Sequence, residues 1–284
     1  MREGSVLHRH HRGRRRDRHI EHSPQGKIIS MALAGNANVG KSVIFNELTG
    51  LHQHVGNWPG KTVERAEGTL VFGDYTVDVL DLPGIYSLST YSLEELVSRE
   101  YIAVEHPDVL VNVLDASALE RNLFLTVQLL ELEPHMVVAL NQVDIAEARG
   151  IEIDFGRLGE LLGAPVIPTV AVKGFGLQEL MGQVVETVER DAPTSSPLVF
   201  GPEVEGVIGD LTGELERVES PYPGRWLAIK LIEGDEETTD VIYSKYPRVR
   251  GGSRRTWVYP APPPPGRGRS PQRSSRPGPA YPGP

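Results

Sequence analysis

Residues 28–42 read Ile28-Ile29-Ser30-Met31-Ala32-Leu33-Ala34-Gly35-Asn36-Ala37-Asn38-Val39-Gly40-Lys41-Ser42. A short apolar run ends in glycine and opens onto a segment with helical spacing, 41–48. The eight residues from Gly35 to Ser42 fit G-x-x-x-x-G-K-[ST], a loop whose backbone N–H groups cradle phosphates. The glycines let the chain curl so that those N–H groups face phosphate oxygens. The helix N-terminus adds the positive end of its dipole. In this pattern Lys41 reaches the β- and γ-phosphates and the Ser42 hydroxyl ligates Mg²⁺. A strand before and a helix after set the motif apart from an ordinary glycine turn.

Outward from this loop, strand-like and helix-like segments alternate. Residues 77–80, 109–114, 136–140 and 166–170 are apolar runs of the same kind. Between them, 93–104, 119–132, 155–162 and 177–188 carry helical spacing. Alternation of this sort predicts βαβ units, an α/β fold and a mainly parallel sheet. Right-handed crossovers then bring the strand C-termini to one edge, where such sheets bind ligands.

Two further motifs fall at that edge. Asp81-Leu82-Pro83-Gly84 follows the strand at 77–80. Its carboxylate can hold Mg²⁺ through water, and Gly84 lets a backbone N–H approach the γ-phosphate. By itself D-x-P-G is a good turn. About 40 residues after the phosphate loop, it sits where a P-loop GTPase places it. Asn141-Gln142-Val143-Asp144 follows the strand at 136–140. The Asp144 carboxylate can accept two N–H groups from guanine, which adenine cannot supply, and losing such paired bonds discriminates strongly. Asn141 is expected to tie its loop to the phosphate loop. Thr169-Val170-Ala171, after the last strand, could offer a backbone N–H to guanine O6.

The order of these motifs resembles that of small GTPases. Gly56-Asn57-Trp58-Pro59-Gly60-Lys61-Thr62-Val63-Glu64 closely resembles switch I of the ferrous-iron transporter B family, FeoB. Asp81-Leu82-Pro83-Gly84-Ile85-Tyr86-Ser87-Leu88 also looks like that family. Tyr222-Pro223-Gly224-Arg225-Trp226-Leu227-Ala228-Ile229-Lys230-Leu231 is similar to the helical regulatory domain after its G domain. The resemblance covers roughly 28–237. It implies a nucleotide site built from Gly35, Asn36, Ala37, Asn38, Val39, Gly40, Lys41, Ser42, Asp81, Gly84, Asn141, Gln142, Asp144, Thr169, Val170 and Ala171. It implies Mg²⁺ on Ser42, Thr62 and Asp81. It also implies K⁺ on Asn38 and the switch I carbonyls around Gly56–Trp58, supplying charge that an arginine finger supplies elsewhere. Lys41, Asn38, Thr62 and Gly84 are then the catalytic set. Ile85 stands where many GTPases carry a water-orienting glutamine, so hydrolysis is expected to be slow. Gln142 replaces the usual lysine, so nucleotide affinity is expected to be weaker; Val170 stands where a serine is usual, which bears on the last guanine contact.

The net charge of −9 over 284 residues hides a division. Residues 1–27 sum to +5 and 241–284 to +9, so 28–240 carry −23 from 12 basic and 35 acidic side chains. Self-repulsion of that size destabilises a compact fold unless salt screens it. It points to a halophilic source with a potassium-rich cytoplasm. With no cysteine there is no disulfide framework or thiolate chemistry. No apolar run approaches the roughly 20 residues of a membrane helix.

Composition and the resemblance together divide the chain into a basic, His-rich extension (1–26), a G domain (27–191), part of a helical domain (195–240) and an Arg/Pro-rich tail (241–284). The two ends read as disordered. The bland reading of the N-terminus is a start at Met31 or a nearby codon; the sharper one is metal binding by its histidines. The tail reads as truncation or a shifted frame ahead of a membrane domain, or else as the end of a stand-alone module. The expected function is a slow, Mg²⁺-dependent, K⁺-assisted GTPase switch of a ferrous-iron transport system. It would be cytoplasmic, at the inner membrane face. Its partners would be GTP and GDP, a membrane iron-permease domain in trans or lost, and small accessory iron-transport proteins. Nucleic acid is not an expected partner. The rival is a GTP/GDP-binding regulator without useful turnover.

Overall fold

The computed structural model describes residues 26–50, 53–88, 92–190, 198–215 and 219–245. The expectations for 1–25, 191–197 and 246–284 lie outside the described residues. Among the described residues seven strands form one sheet: β1 (Lys27–Gly35), β2 (Gln53–Asn57), β3 (Glu64–Phe72), β4 (Tyr75–Asp81), β5 (Val109–Asp115), β6 (Met136–Asn141) and β7 (Val166–Pro168). Their order is β2-β3-β4-β1-β5-β6-β7. From β4 through β7 every neighbour is parallel, while β3 pairs antiparallel with β2 and β4.

The parallel strands are apolar along their whole length because both faces are covered. In β1, Ile29, Met31 and Leu33 point into one core, and Ala32 and Ala34 into the other. The first core is closed by α1 (Lys41–Thr49) and α6 (Leu177–Arg190). The second is closed by α3 (Leu119–Leu130), with α2 (Leu93–Glu100), α4 (Val143–Ala148) and α5 (Phe155–Leu162) at its margins. Ser92 caps α2, its hydroxyl accepting the Glu95 N–H at 3.1 Å. After α2 the chain widens into a π-helical turn, Tyr101–Glu105.

Three further helices, α7 (Pro202–Leu215), α8 (Gly224–Glu233) and α9 (Glu236–Lys245), pack into the second core. Trp226 is fully buried there, stacked on Tyr222 with ring centroids 4.5 Å apart. Arg225 forms a two-pronged pair with Glu205 of α7, at 2.8 and 2.7 Å. That guanidinium, with the Phe200 N–H, holds the Glu205 carboxyl at a pKa of about 2.

Three features depart from the sequence reading. β2 and β3 were not anticipated, because β2 is exposed along its length and has no apolar alternation. The last strand ends at Pro168 rather than 170. α9 runs five residues past 240 into the expected tail, with Ile242 buried in the core. As for a start at Met31, β1 begins at Lys27, four residues earlier, with Ile29 already buried.

Candidate nucleotide site

β1 and β4 run side by side with Leu33 opposite Asp81, so the phosphate loop and D-x-P-G leave the sheet at the same level. Leu82 N–H donates to Leu33 O at 3.0 Å, and Ile85 N–H to Gly35 O at 3.2 Å. This lays Gly84 against the phosphate loop: a Cβ there would come within 3.0 Å of Ala37 Cα. Lys41 is buried and its ammonium pairs with Asp81. The Ser42 hydroxyl donates to the other Asp81 oxygen at 3.0 Å. A cation, a hydroxyl and a carboxylate thus converge at the start of α1, and the last two are hard oxygen donors of the kind Mg²⁺ takes. Asn36 is buried nearby, its amide oxygen without a hydrogen-bond partner among the described residues. Asn38 is exposed at φ 66°.

β5 and β6 set the second half, with Asp115 opposite Asn141. The buried Asn141 Nδ2 donates to Val39 O at 2.9 Å. Its Oδ1 accepts from Ala171 N–H at 3.0 Å and Thr169 Oγ1 at 3.3 Å. One amide therefore fastens the loops of β1, β6 and β7 together. Gln142 (φ 62°) turns the chain into α4. Asp144 follows on that helix, its carboxylate paired with Lys173 at 2.7 Å. The Lys173 ammonium holds the Asp144 carboxyl below the usual carboxylate range.

Thr169, Val170 and Ala171 are placed differently from the expectation. Their N–H groups donate to Leu140 O, Phe175 O and Asn141 Oδ1, so as placed none is left to donate to guanine O6. The chain turns back after β7 and satisfies its own backbone there. Switch I stands on the hairpin between β2 and β3, at the same sheet edge. Gly56 lies in β2 opposite Arg65, and Trp58 N–H donates to Val63 O at 2.9 Å. The Trp58 ring packs edge-on to Tyr101 and under Arg65. Thr62 is exposed in the turn. The contacts of Trp58 thus run to β3 and the π-helical turn, and the structure does not join Gly56, Trp58 or Thr62 to Ser42 or Asp81. Ile85 is buried in the core, so its side chain packs and does not face solvent. The pairing of Lys173 with Asp144 had no sequence signal, since neither spacing nor periodicity links the two loops.

A strand–phosphate-loop–helix unit, D-x-P-G beside it and a guanine-type N-x-x-D loop fastened to both define a GTP-binding P-loop domain. Residues 29–184 match the model of the family described as ferrous iron transport protein B, and 200–249 match the FeoB cytosolic helical domain. The chain belongs to the ferrous iron transport protein B family. The match passes the 237 at which the resemblance was expected to stop.

The chain is 44% identical over 224 residues to the Fe(2+) transport protein A/Fe(2+) transporter FeoB fusion protein of Porphyromonas gingivalis, covering 77% of this chain and 26% of that one. The curated relatives it matches are thus about four times as long as the stretch it spans. The cytosolic domain of T. maritima FeoB in GDP form I superimposes with a TM-score of 0.73 at 36% identity, covering 79% of this chain and 86% of that one. Its GMPPNP form gives 0.72 at 36% identity, covering 78% and 86%. Among the described residues no helix is long and apolar enough to cross a membrane.

Proposed function

We propose that this chain is the GTP-hydrolysing switch of a ferrous-iron transport system, working at the cytoplasmic face of a membrane domain. The observation that supports this best is the convergence of Lys41, Ser42 and Asp81 at the sheet edge, with Asn141 fastening the guanine loop to it. Ser42, Asp81 and Thr62 would hold Mg²⁺, which supplies charge neutralisation on the phosphates. Asn38 and the carbonyls of Gly56–Trp58 would hold K⁺. Both switch I contributions require the β2–β3 hairpin to rearrange toward the phosphate loop, an order–disorder change of the kind GTPase switches make. Lys41 and the loop N–H groups bind the phosphates, Gly84 N–H meets the γ-phosphate, and Asp144 selects guanine. Thr169 and Ala171 act through Asn141. Catalysis is positioning plus charge stabilisation of the attack of water.

Residues 27–191 would be the G domain and the helices from α7 onward the relay to the membrane domain, with small accessory iron-transport proteins as further partners. A second reading, a GTP/GDP-binding regulator without useful turnover, is favoured by one observation: Ile85 is buried and cannot orient water. GTP turnover in KCl against NaCl separates the two. Stimulation by K⁺ that is lost in Asn38→Ala supports the switch enzyme. Tight GTP binding with no turnover in either salt supports the regulator.

A further inference from the structure

The segment that carries D-x-P-G is pinned at three of its backbone N–H groups. Leu82 N–H donates to Leu33 O at 3.0 Å and Ile85 N–H to Gly35 O at 3.2 Å, both carbonyls of β1. Leu88 N–H instead donates to Oε1 of Gln128 at 2.6 Å, across 40 residues of sequence. Of these three acceptors only Gln128 is a side chain. It stands on α3, and both it and Leu88 are buried. Leu82, Ile85 and Leu88 sink their side chains into the second core, together with Leu125 and Leu129 of α3. An amide beside such an apolar cluster costs free energy unless it is hydrogen-bonded. The buried Leu88 N–H needs an acceptor just as strictly. Ser87 adds a tie to α2, its hydroxyl donating to Glu95 at 2.7 Å.

We infer that Gln128 is a positioning residue for GTP hydrolysis, acting through Leu88 to fix the far end of the D-x-P-G segment so that its backbone groups stay aimed at the γ-phosphate and the attacking water. This rests on the reading of the chain as a GTP-hydrolysing switch. The Ile85 side chain is buried and cannot orient water. Placement then falls to backbone groups, and their precision depends on what holds the segment at each end. On one side Gly84 lies against Ala37 of the phosphate loop. On the other, Leu88 is fixed by Gln128. The Gln128 bond runs to Leu88 and to none of Lys41, Ser42, Asn141 or Asp144. GDP has no γ-phosphate for this segment to meet. Loss of the Gln128 acceptor therefore bears on the attack of water and leaves the binding of GDP alone.

Gln128→Met removes the acceptor at similar volume, Gln128→Ala removes it in a smaller shape, and Gln128→Glu keeps an acceptor oxygen in either protonation state. Single-turnover GTP hydrolysis by the full chain, with Mg²⁺ and KCl, is measured beside GDP affinity and exchange of the Leu88 amide. In Gln128→Met and Gln128→Ala hydrolysis should slow about tenfold, less than the roughly hundredfold that a 1 Å misplacement can cost. GDP affinity should stay within about twofold of the parent, the split expected of an interaction that matters only in the transition state. The Leu88 amide should exchange faster, and Gln128→Glu should recover most of the rate. Hydrolysis within about twofold of the parent in either folded variant overturns the inference and leaves Gln128 as no more than the acceptor for a buried N–H. Equal loss of rate and GDP affinity, the mark of a loosened site, overturns it as well. If the parent binds GTP without turnover, the enzyme reading itself fails and the inference falls with it.

Discussion

Asn141 Nδ2 lies 2.9 Å from the carbonyl oxygen of Val39, across 102 residues of sequence. With Ala171 N–H and Thr169 Oγ1 on its other amide atom, this side chain satisfies buried groups from two other loops. Asn141→Ala leaves the Val39 carbonyl and the Ala171 N–H without partners. It is expected to cost about 2–3 kcal/mol of stability, the scale of buried polar groups left unsatisfied. Guanine nucleotide affinity should fall with it. Urea unfolding and GDP titration measure the two, and a variant as stable as the parent would contradict the stapling role.

Gly40 is the neighbour of that staple. It has φ 91°, and a Cβ there would come within 2.2 Å of Asn141 Nδ2. Gly40→Ala must therefore strain the backbone and push the amide aside, at the residue that caps α1. GDP binding is expected to weaken at least tenfold, about 1.4 kcal/mol or more. Far-UV circular dichroism should stay close to that of the parent, because the sheet and both cores are untouched. Binding within twofold of the parent would show that the loop can open without loss.

The sequence yields the phosphate loop and the parallel strands for a physical reason. Strands buried on both faces leave continuous apolar runs, and the three nucleotide motifs have fixed spacing. β2 has no such imprint: it is an exposed edge, so nothing in Gln53–Asn57 alternates. α9 is masked by the Arg- and Pro-rich composition that follows it, although Ile242 is a core residue. The bond from Lys173 to Asp144 is long-range and specific to two side chains, so no periodic pattern can carry it.

Within residues 28–240, 12 basic groups face 35 acidic ones, so most carboxylates cannot find a cation. Screening by salt should then stabilise the fold. The unfolding midpoint is expected to rise steadily from low to molar KCl. Full, salt-independent folding at low ionic strength would remove the argument for a halophilic source.

Trp226 is fully buried where α8 meets the core beneath α2, with Arg99 5.6 Å from its ring centroid. Trp226→Ala is expected to destabilise by about 3–5 kcal/mol, the usual cost of truncating a large buried aromatic. GDP affinity measured well below the unfolding midpoint should change less than twofold, because the ring's contacts run to Tyr222, Arg99 and Lys230 and to none of Lys41, Ser42, Asp81, Asn141 or Asp144. A large loss of affinity at full folding would instead tie the helical segment directly to the nucleotide.

Glu131 sits just beyond α3, buried against the helical segment, with its Oε2 lacking a hydrogen-bond partner among the described residues. Burial pushes its pKa up to about 7, opposed by Lys230 and Arg225 and aided by Glu233. The folded chain thus binds a proton that the unfolded chain, with an ordinary carboxyl, releases near pH 4–5. The stability linked to this proton is fully present below that range and is lost as pH rises through about 7. The loss across the window should be about 1–3 kcal/mol, one pKa unit corresponding to about 1.4 kcal/mol. Glu131→Gln keeps the shape and removes the titration. Urea midpoints between pH 5 and 8 should fall in the parent and run flatter in the variant, which should be the more stable of the two at pH 8. Parallel profiles would mean that Glu131 stays charged at this interface.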